Sequence, residues 1–277
     1  MKVVFSIFPK FYKHLSVEQL AELVKQVGLD TTNLVVRDGY WCARKTLARD
    51  VPVFVKTLAK AGLKVEFATA RFSADEVIAN DSPLAILAEN GIKEFRMEYF
   101  PSKKVIDVRG AIQQARGKLE RMVTLCQKRS IRAVYQLHHG TLIPSPSAAF
   151  HLVQGLPSRW MGVELDAGNQ AFEGFERWGR ACRLLGEYCV AMGVKDVSVT
   201  RDPARADDPD KGWTVQPSPL YEGITNWHDV VAALKDVNFD GTFVFMPYYD
   251  QKDHAAMTAK LKKEVSYLRK IVAAAGD

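Results

Sequence analysis

The sequence predicts a closed (β/α)8 barrel, and three observations support this fold class. Eight short apolar runs recur along the 277 residues, and segments with helical periodicity lie between them. Continuous apolar runs of this kind are typical of parallel strands that are covered on both faces. Eight such units match a closed barrel in a chain of this length. No glycine-rich fingerprint follows the first run, which disfavours the rival doubly wound dinucleotide-binding sheet.

The predicted strands coincide with the apolar runs. In chain order they are VVFSIF (3–8), NLVVRDG (33–39), KVEFATA (64–70), EFRMEYF (94–100), RAVYQLHH (132–139), MGVELDAGN (161–169), DVSVTRD (196–202) and TFVFMPYYD (242–250). Neither a linker nor an internal repeat interrupts the alternation of strands and helices. We therefore expect residues 1–277 to form one α/β barrel domain.

The predicted helices carry start and stop signals. Residues 16–28 begin at Ser16, a capping residue, and end at Gly28. Residues 52–62 have a proline at the start and a glycine at the end, the asymmetry expected of a helix. Residues 82–91 and 227–241 repeat the pattern. The Pro- and Asp-rich stretch 201–219 follows the predicted seventh strand, where a barrel places a loop that covers the substrate.

Composition excludes several classes of protein. The net charge of +6 is dispersed and no basic cluster with interleaved aromatic residues occurs, so we expect no nucleic-acid partner. We expect no membrane partner, because no apolar stretch reaches the length of a membrane span. The amino terminus does not resemble a signal peptide, and the four cysteines form no CxxC pair and predict reduced core thiols. These features predict a cytoplasmic protein and leave open whether it is a homo-oligomer. The net positive charge predicts a weak attraction for anionic substrates.

Polar side chains follow the predicted strands, at the end where a barrel places its active site. Alternation puts Arg96 and Glu98 on one face of their strand, Gln136 and His138 on one face, and Glu164 and Asp166 on one face. A polar residue in a parallel strand is disfavoured against the packed helices, which favours the lumen for all of them. The same ends carry further candidates for binding substrate, namely Arg37, Trp41, Arg201, Trp213 and Tyr248.

Four segments resemble one family. PLYEGITNWHDVVAALKDVNFDGTFVF (219–245) is the most specific, and LDAGN (165–169), VTRD (199–202) and QLHHG (136–140) follow in the expected order and spacing. Together they resemble the xylose isomerase-like TIM barrel superfamily, which contains sugar isomerases, sugar epimerases and endonuclease-IV-like enzymes of AP endonuclease family 2. The resemblance implies the same barrel fold and a carbohydrate substrate.

The resemblance also implies a divalent metal site, which this sequence does not retain. Metal-dependent members use a Glu, an Asp, a His and a second Glu from successive strands. The first Glu corresponds to Gln136 here, the Asp is kept as Asp166, the His falls at Val199, and the last Glu falls at Met246–Pro247. A hard cation needs several oxygen donors, so we predict no metal and no other cofactor. The alternative is Mn²⁺ or Mg²⁺ at a site rebuilt from Glu98, Glu164 and His138.

We therefore expect an isomerase, an epimerase or a sugar lyase of carbohydrate metabolism that transfers a proton beside a carbonyl without metal. Such chemistry needs a base of near-neutral pKa and a group that stabilises the oxyanion. The predicted catalytic residues are His138, Glu98 and Asp166. The predicted substrate-binding residues are Arg37, Trp41, Arg96, Gln136, Glu164, Arg201, Trp213 and Tyr248. His139 should point to the opposite face of its strand from His138.

Two other functions stay open. A carbohydrate- or partner-binding barrel without catalytic activity would also lose metal ligands while keeping the fold motifs. An endonuclease-IV-like DNA repair enzyme ranks last, because that chemistry needs a cluster of zinc ligands and few histidines follow the strands here.

Overall fold

Nine parallel strands form one nearly closed barrel in the computed structural model, which describes residues 1–102 and 105–276. The barrel strands are β1 (Lys2–Ile7), β2 (Thr31–Thr32), β3 (Leu34–Val35), β4 (Phe67–Thr69), β5 (Glu94–Arg96), β6 (Arg132–Gln136), β7 (Met161–Asp166), β8 (Cys189–Val194) and β11 (Asp240–Phe245). Two further strands, β9 (Asp196–Arg201) and β10 (Trp213–Ser218), pair antiparallel as a separate ribbon. The prediction of a (β/α)8 barrel is confirmed.

The barrel closes at two short strands, β2 and β3, and the strand predicted for 33–39 contains only the second of them. The sheet order is β2-β1-β11-β8-β7-β6-β5-β4-β3, so its two edges are consecutive in the chain and Asn33 lies between them. Ser6 Oγ donates to Asn33 Oδ1 over 2.7 Å, and Asn33 Nδ2 donates to Thr69 Oγ1 over 3.2 Å. These buried side-chain hydrogen bonds connect β1 with β4 across the place where the backbone ladder is interrupted.

Ten α-helices accompany the strands. They are α1 (Val17–Val27), α2 (Leu47–Lys60), α3 (Ala74–Ala79), α4 (Ser82–Glu89), α5 (Val108–Arg129), α6 (Pro146–Val153), α7 (Ala167–Phe172), α8 (Trp178–Leu185), α9 (Trp227–Asp236) and α10 (His254–Ala274), among the residues that the structure describes. Short 3₁₀ helices cover Lys10–Tyr12, Arg44–Thr46, Gly186–Tyr188 and Pro203–Arg205. The signals predicted for α1 are confirmed, since Ser16 forms a capping box and Gly28 ends the helix in the left-handed conformation. Helix α2, by contrast, begins at Leu47 and contains Pro52, so the predicted start was too late.

Side chains of the strands divide between two packed layers. Tyr135, Val163 and Phe243 belong to the large core that also contains the apolar faces of the helices. Phe67 and Val134 pack with two residues of β8. Since β4, β6 and β8 are not neighbours in the sheet, their side chains meet inside the barrel. The interior is therefore filled, and the room for a ligand lies at the ends of the strands.

The predicted seventh strand was wrong. DVSVTRD (196–202) forms strand β9 of the antiparallel ribbon, and the true seventh barrel strand is β8, the apolar run Cys189–Val194. An uninterrupted apolar run has no periodicity that separates a buried strand from a buried helix. The stretch 201–219, predicted as a covering loop, contributes strand β10 and the turn between the two ribbon strands.

The structure bears on two predictions from composition, which concern the cysteines and membrane-spanning helices. All four cysteines are buried and free. Across residues 1–102 and 105–276, no helix is long and apolar enough to cross a membrane.

Candidate active site

Asp166, the last residue of β7, is the centre of a buried polar cluster at the carboxyl ends of the strands. Its side chain is fully buried. Oδ1 accepts the backbone N–H of Asn169 over 2.8 Å, which caps α7. Oδ2 accepts Gln136 Nε2 over 2.6 Å and lies 3.4 Å from the ammonium of Lys195. Each oxygen of this carboxylate therefore has a defined partner.

Gln136, the last residue of β6, connects Asp166 to a buried cation. Its Oε1 accepts from Arg96 Nη1 and from the hydroxyl of Tyr99, the latter over 2.5 Å. Arg96 Nη1 also donates to Tyr99 Oη over 3.0 Å. Because Arg96 can only donate, the amide oxygen of Gln136 must face it and the amide nitrogen must face Asp166.

Glu164 lies deeper in the barrel than Asp166 on the same face of β7, as alternation predicted. It is 1% exposed, and neither carboxylate oxygen has a hydrogen-bond partner among the described residues. Burial raises the pKa of Glu164 to about 8, although the guanidinium of Arg96 opposes this shift. At neutral pH the group is mostly protonated and uncharged.

A cavity of about 200 Å³ opens beside this cluster, between the strand ends and the base of the ribbon. Its lining includes His138, His139, Phe172, Lys195, Met246 and Tyr248. His138 Nδ1 lies 2.8 Å from the backbone oxygen of His139. Since a carbonyl oxygen only accepts, Nδ1 carries the proton and Nε2 keeps its lone pair. Burial, chiefly, lowers the pKa of His138, so the imidazole is neutral at pH 7.

His139 departs from its predicted orientation. Strand β6 ends at Gln136, so the alternation of a strand no longer applies two residues later. The His139 ring stacks on His138 with centroids 4.6 Å apart, and its Nδ1 hydrogen-bonds Asn169 Oδ1 over 3.0 Å. His139 therefore lines the same cavity as His138, and a substitution of either histidine would change that cavity.

Lys195 was not among the site residues predicted from the sequence. It follows β8 directly, and its side chain is 15% exposed. Its ammonium donates to Asn169 Oδ1 over 2.8 Å and lies 5.1 Å from the centre of the Tyr248 ring. The signal was the Lys-Asp pair after CVAMGV, and it was lost because that run was not among the predicted strands.

Several predicted residues lie at the rim of the same barrel end. Tyr248 lines the cavity, and burial raises its pKa to about 12. Arg37 is half-buried with its guanidinium 5.5 Å from the centre of the Tyr40 ring. Glu98 is half-buried, and its carboxylate pairs with Arg71 over 2.6 Å instead of lining the cavity with His138.

The structure does not bring three of the predicted residues to the cluster. Trp41 packs its ring against Phe54, and its Nε1 donates to the backbone oxygen of Leu15 over 2.8 Å. Arg201 and Trp213 face each other on the exposed ribbon, with the guanidinium 5.8 Å from the ring centre. Arg201 and Trp213 lie away from the cluster because β9 and β10 belong to the ribbon and not to the barrel. Arg201 was predicted at a barrel strand end because β9 was taken as the seventh barrel strand.

The cluster does not fit a divalent cation. Gln136 donates directly to Asp166, whereas two carboxylates at these positions would need a cation between them. The residue of β8 that pairs with Asp166 is Gly193, which has no side-chain ligand atom. Val199, where the resemblance placed the histidine, lies on the exposed ribbon and not on a barrel strand. Met246 presents a thioether near the amide of Gln136. One carboxylate, an amide and a thioether are a poor donor set for a hard cation.

The alternative rebuilt metal site is not assembled either. Within the described part of the chain, no three His, Cys, Asp or Glu side chains are grouped as metal ligands. Of the residues proposed for it, Glu98 is paired with Arg71 and Glu164 has no partner.

Comparison with known proteins identifies the family of this barrel. The family profile described as "Xylose isomerase-like TIM barrel" matches residues 21–271. No curated protein sequence matches the chain significantly.

Solved structures share the fold at low sequence identity. A D-psicose 3-epimerase crystallised in the presence of D-fructose is 15% identical and covers 98% of this chain and 99% of its own, with a TM-score of 0.73. A 3-keto-D-glucoside 4-epimerase from E. coli is 13% identical and covers 98% of this chain and 99% of its own, with a TM-score of 0.69. A xylose isomerase-like TIM barrel protein from Mycobacterium smegmatis in complex with magnesium is 16% identical and covers 99% and 97%, with a TM-score of 0.68.

Proposed function

The chain belongs to the xylose isomerase-like TIM barrel family, and on that premise we propose that it is a sugar isomerase or epimerase that moves a proton beside a carbonyl without a divalent cation. The substrate is a small carbohydrate or sugar derivative. The observation that carries the proposal is that a neutral imidazole, His138, and an ammonium, Lys195, line one cavity at the strand ends.

His138 supplies the base. Its Nε2 holds a free lone pair because Nδ1 donates to the carbonyl of His139. Burial keeps the ring neutral at pH 7, which is the form that can accept a proton. In this proposal Nε2 removes the proton from the carbon beside the substrate carbonyl. The C–H electron pair becomes the C=C bond of an enolate, and the π pair of the carbonyl moves to its oxygen.

Lys195 supplies the positive charge that a metal supplies in metal-dependent enzymes. Two contacts of its ammonium, to Asn169 Oδ1 and to Asp166, fix its position. An ammonium has three N–H groups, so it can also donate to the developing oxyanion. Asp166 acts here as a positioning residue, because its oxygens are occupied by Gln136, Asn169 and Lys195. Return of the proton from His138 to the neighbouring carbon, while the hydroxyl proton on that carbon passes to the enolate oxygen, gives isomerisation. Epimerisation requires that water delivers a proton to the opposite face of the same carbon, and His138 then releases its own proton to solvent.

The test is solvent exchange. Protein treated with EDTA is incubated in D₂O with a panel of aldoses, ketoses and their acid and phosphate derivatives, and NMR follows deuterium at carbon. The proposal expects deuterium at the position beside the carbonyl of at least one sugar, and little with His138→Gln. Exchange that appears only after Mn²⁺ or Mg²⁺ is added would contradict the metal-free mechanism.

A second candidate function is a carbohydrate-binding barrel without catalysis. The internal pairing of Gln136 with Asp166 favours it, because this contact occupies a carboxylate that metal-dependent members use for the metal. Sugar binding without exchange in any member of the panel would support this candidate over the first.

A further inference from the structure

We propose that Lys10 and Arg37 form an anion-binding subsite at the rim of the candidate active site, and that the substrate is therefore a sugar carrying a carboxylate or a phosphate. This inference rests on the proposed function only for the position of the subsite beside the candidate active site. It follows from an excess of unpaired positive charge around Tyr248 and Arg96.

The first observation is that both cations contact aromatic rings but have no anionic or hydrogen-bonding partner among the described residues. Among residues 1–102 and 105–276, the side chains of Lys10 and Arg37 form no ion pair and no hydrogen bond. Arg37 Nε is buried without any acceptor. A buried donor of a charged group without an acceptor is unfavourable, because it has lost its hydrogen bonds to water. An anionic ligand would supply the missing acceptor.

The second observation is that the two cations belong to one cluster with the cavity. Lys10 Nζ lies 4.9 Å from the centre of the Tyr248 ring, and Lys195 Nζ lies 5.1 Å from the same centre. The positive neighbours Arg37, Lys195 and Arg96 add to burial in lowering the pKa of Lys10. Arg37 is connected to Lys10 through Tyr40, whose ring centre lies 5.5 Å from the guanidinium and whose hydroxyl donates to the backbone oxygen of Lys10 over 3.1 Å. Tyr248 lines the cavity, so the two cations lie beside residues at its edge, although neither belongs to its lining.

The third observation is that nearby acids do not balance this charge. Asp166 is occupied by Lys195 and by two hydrogen bonds. Glu164 is mostly uncharged at neutral pH because burial raises its pKa to about 8. The carboxylate of Glu98 pairs with Arg71 over 2.6 Å. These three acids therefore do not neutralise Lys10, Arg37 and Arg96, and positive charge that is not neutralised attracts anions.

Paired probes test the inference by binding alone. Isothermal titration calorimetry at low ionic strength compares D-glucuronate with D-glucose, and D-ribose 5-phosphate with D-ribose. We expect at least one anionic sugar to bind on the order of tenfold or more tightly than its neutral parent, as charge-assisted hydrogen bonds imply. The two pairs distinguish a carboxylate from a phosphate. Equal binding of the anionic and neutral member in both pairs would overturn the inference.

Matched variants locate the effect. Arg37→Met and Lys10→Met should each weaken the anionic probe on the order of tenfold and leave the neutral sugar nearly unchanged. Arg121→Met and Lys56→Met remove exposed charges from α5 and α2 and serve as controls for net charge. Loss of the same size in the control variants would show general attraction and would overturn the subsite.

The outcome is separable from that of the proposed function. Preference for anionic probes with no deuterium exchange would support the subsite and contradict the proposed chemistry. Exchange on a neutral sugar without any preference for anions would support the chemistry and overturn the subsite.

Discussion

Two buried glutamates, Glu164 and Glu264, have similarly raised pKa values but very different hydrogen-bond partners. Burial is the main reason that the pKa of each is raised to about 8, and their exposed fractions are 1% and 3%. Glu264, on α10, accepts the backbone N–H of Leu220 over 2.9 Å and the hydroxyl of Tyr249. Glu164, inside the barrel, has no partner for either oxygen among the described residues.

The difference teaches that a perturbed pKa alone does not identify a functional acid. Glu264 holds the PLYEG segment to α10 through Leu220, so its burial is offset by hydrogen bonds and its role is structural. Glu164 is buried without that compensation, beside Arg96 and Asp166, at the end of the barrel where this fold places its chemistry. Unsatisfied polar atoms separate the two regions better than pKa does.

The largest expected effect is in the region of the strand ends. His138→Gln keeps a polar side chain but cannot exchange a proton at neutral pH, so turnover should fall on the order of a hundred- to ten-thousand-fold. Deuterium exchange and initial rates measure the loss. The control is His151→Gln, an exposed histidine of α6, which should retain the rate of the wild type. Equal rates in His138→Gln and wild type would remove His138 from the mechanism.

The next effect belongs to the other region. Glu264→Leu leaves the N–H of Leu220 and the hydroxyl of Tyr249 buried without an acceptor, which should lower the free energy of unfolding by about 2–5 kcal/mol. Urea denaturation measures this loss, and Glu89→Leu on the exposed face of α4 is the control. The rate per folded molecule should not change. A variant with wild-type stability would show that the hydrogen bonds of Glu264 do not stabilise the fold, and the contrast with Glu164 would fail.

Glu164→Gln should change stability in a direction that depends on pH. The folded-state pKa of about 8 lies above the ordinary value of 4.5, so below pH 4.5 both states of the wild type are protonated and the substitution has little effect. Between pH 4.5 and 8 the unfolded state ionises first, which destabilises the folded wild type as pH rises. Glutamine cannot ionise, so the variant should gain stability relative to wild type across this window, by up to a few kcal/mol.

Urea denaturation at pH 5 and pH 8.5 tests this gain, and the contribution of Glu264 cancels because both proteins contain it. A stability difference that is independent of pH would mean that Glu164 ionises normally in the folded protein, and the contrast between the two glutamates would then fail.

The sequence predicted the barrel better than it predicted the site. Strands with apolar runs and a polar end, such as β6 and β7, place Gln136, Glu164 and Asp166 correctly on the lumen face, because alternation holds inside a strand. It stops holding where a strand ends, which is why His139 was misplaced. Strand β8 directly follows α8 and the short 3₁₀ helix Gly186–Tyr188, so its apolar residues could equally continue a buried helix, and Lys195 was missed with it. The partners of Glu164 and Glu264 depend on contacts distant in the chain, which one sequence does not display.

The smallest expected effect is that of metal removal. Asp166 is stabilised in the folded protein by Gln136, by the N–H of Asn169 and by the ammonium of Lys195. A bound cation would have to displace Lys195 and reverse the amide of Gln136, and both changes would cost existing hydrogen bonds.

We therefore expect EDTA to leave the thermal midpoint unchanged, and metal analysis of the purified protein to find no stoichiometric divalent ion. A metal that binds only the folded state at a hundred times its Kd would add about 2.7 kcal/mol, which a thermal melt detects readily. A clear drop with EDTA that is reversed by Mn²⁺ or Zn²⁺ would show that a cation stabilises the folded protein, and it would contradict the metal-free mechanism.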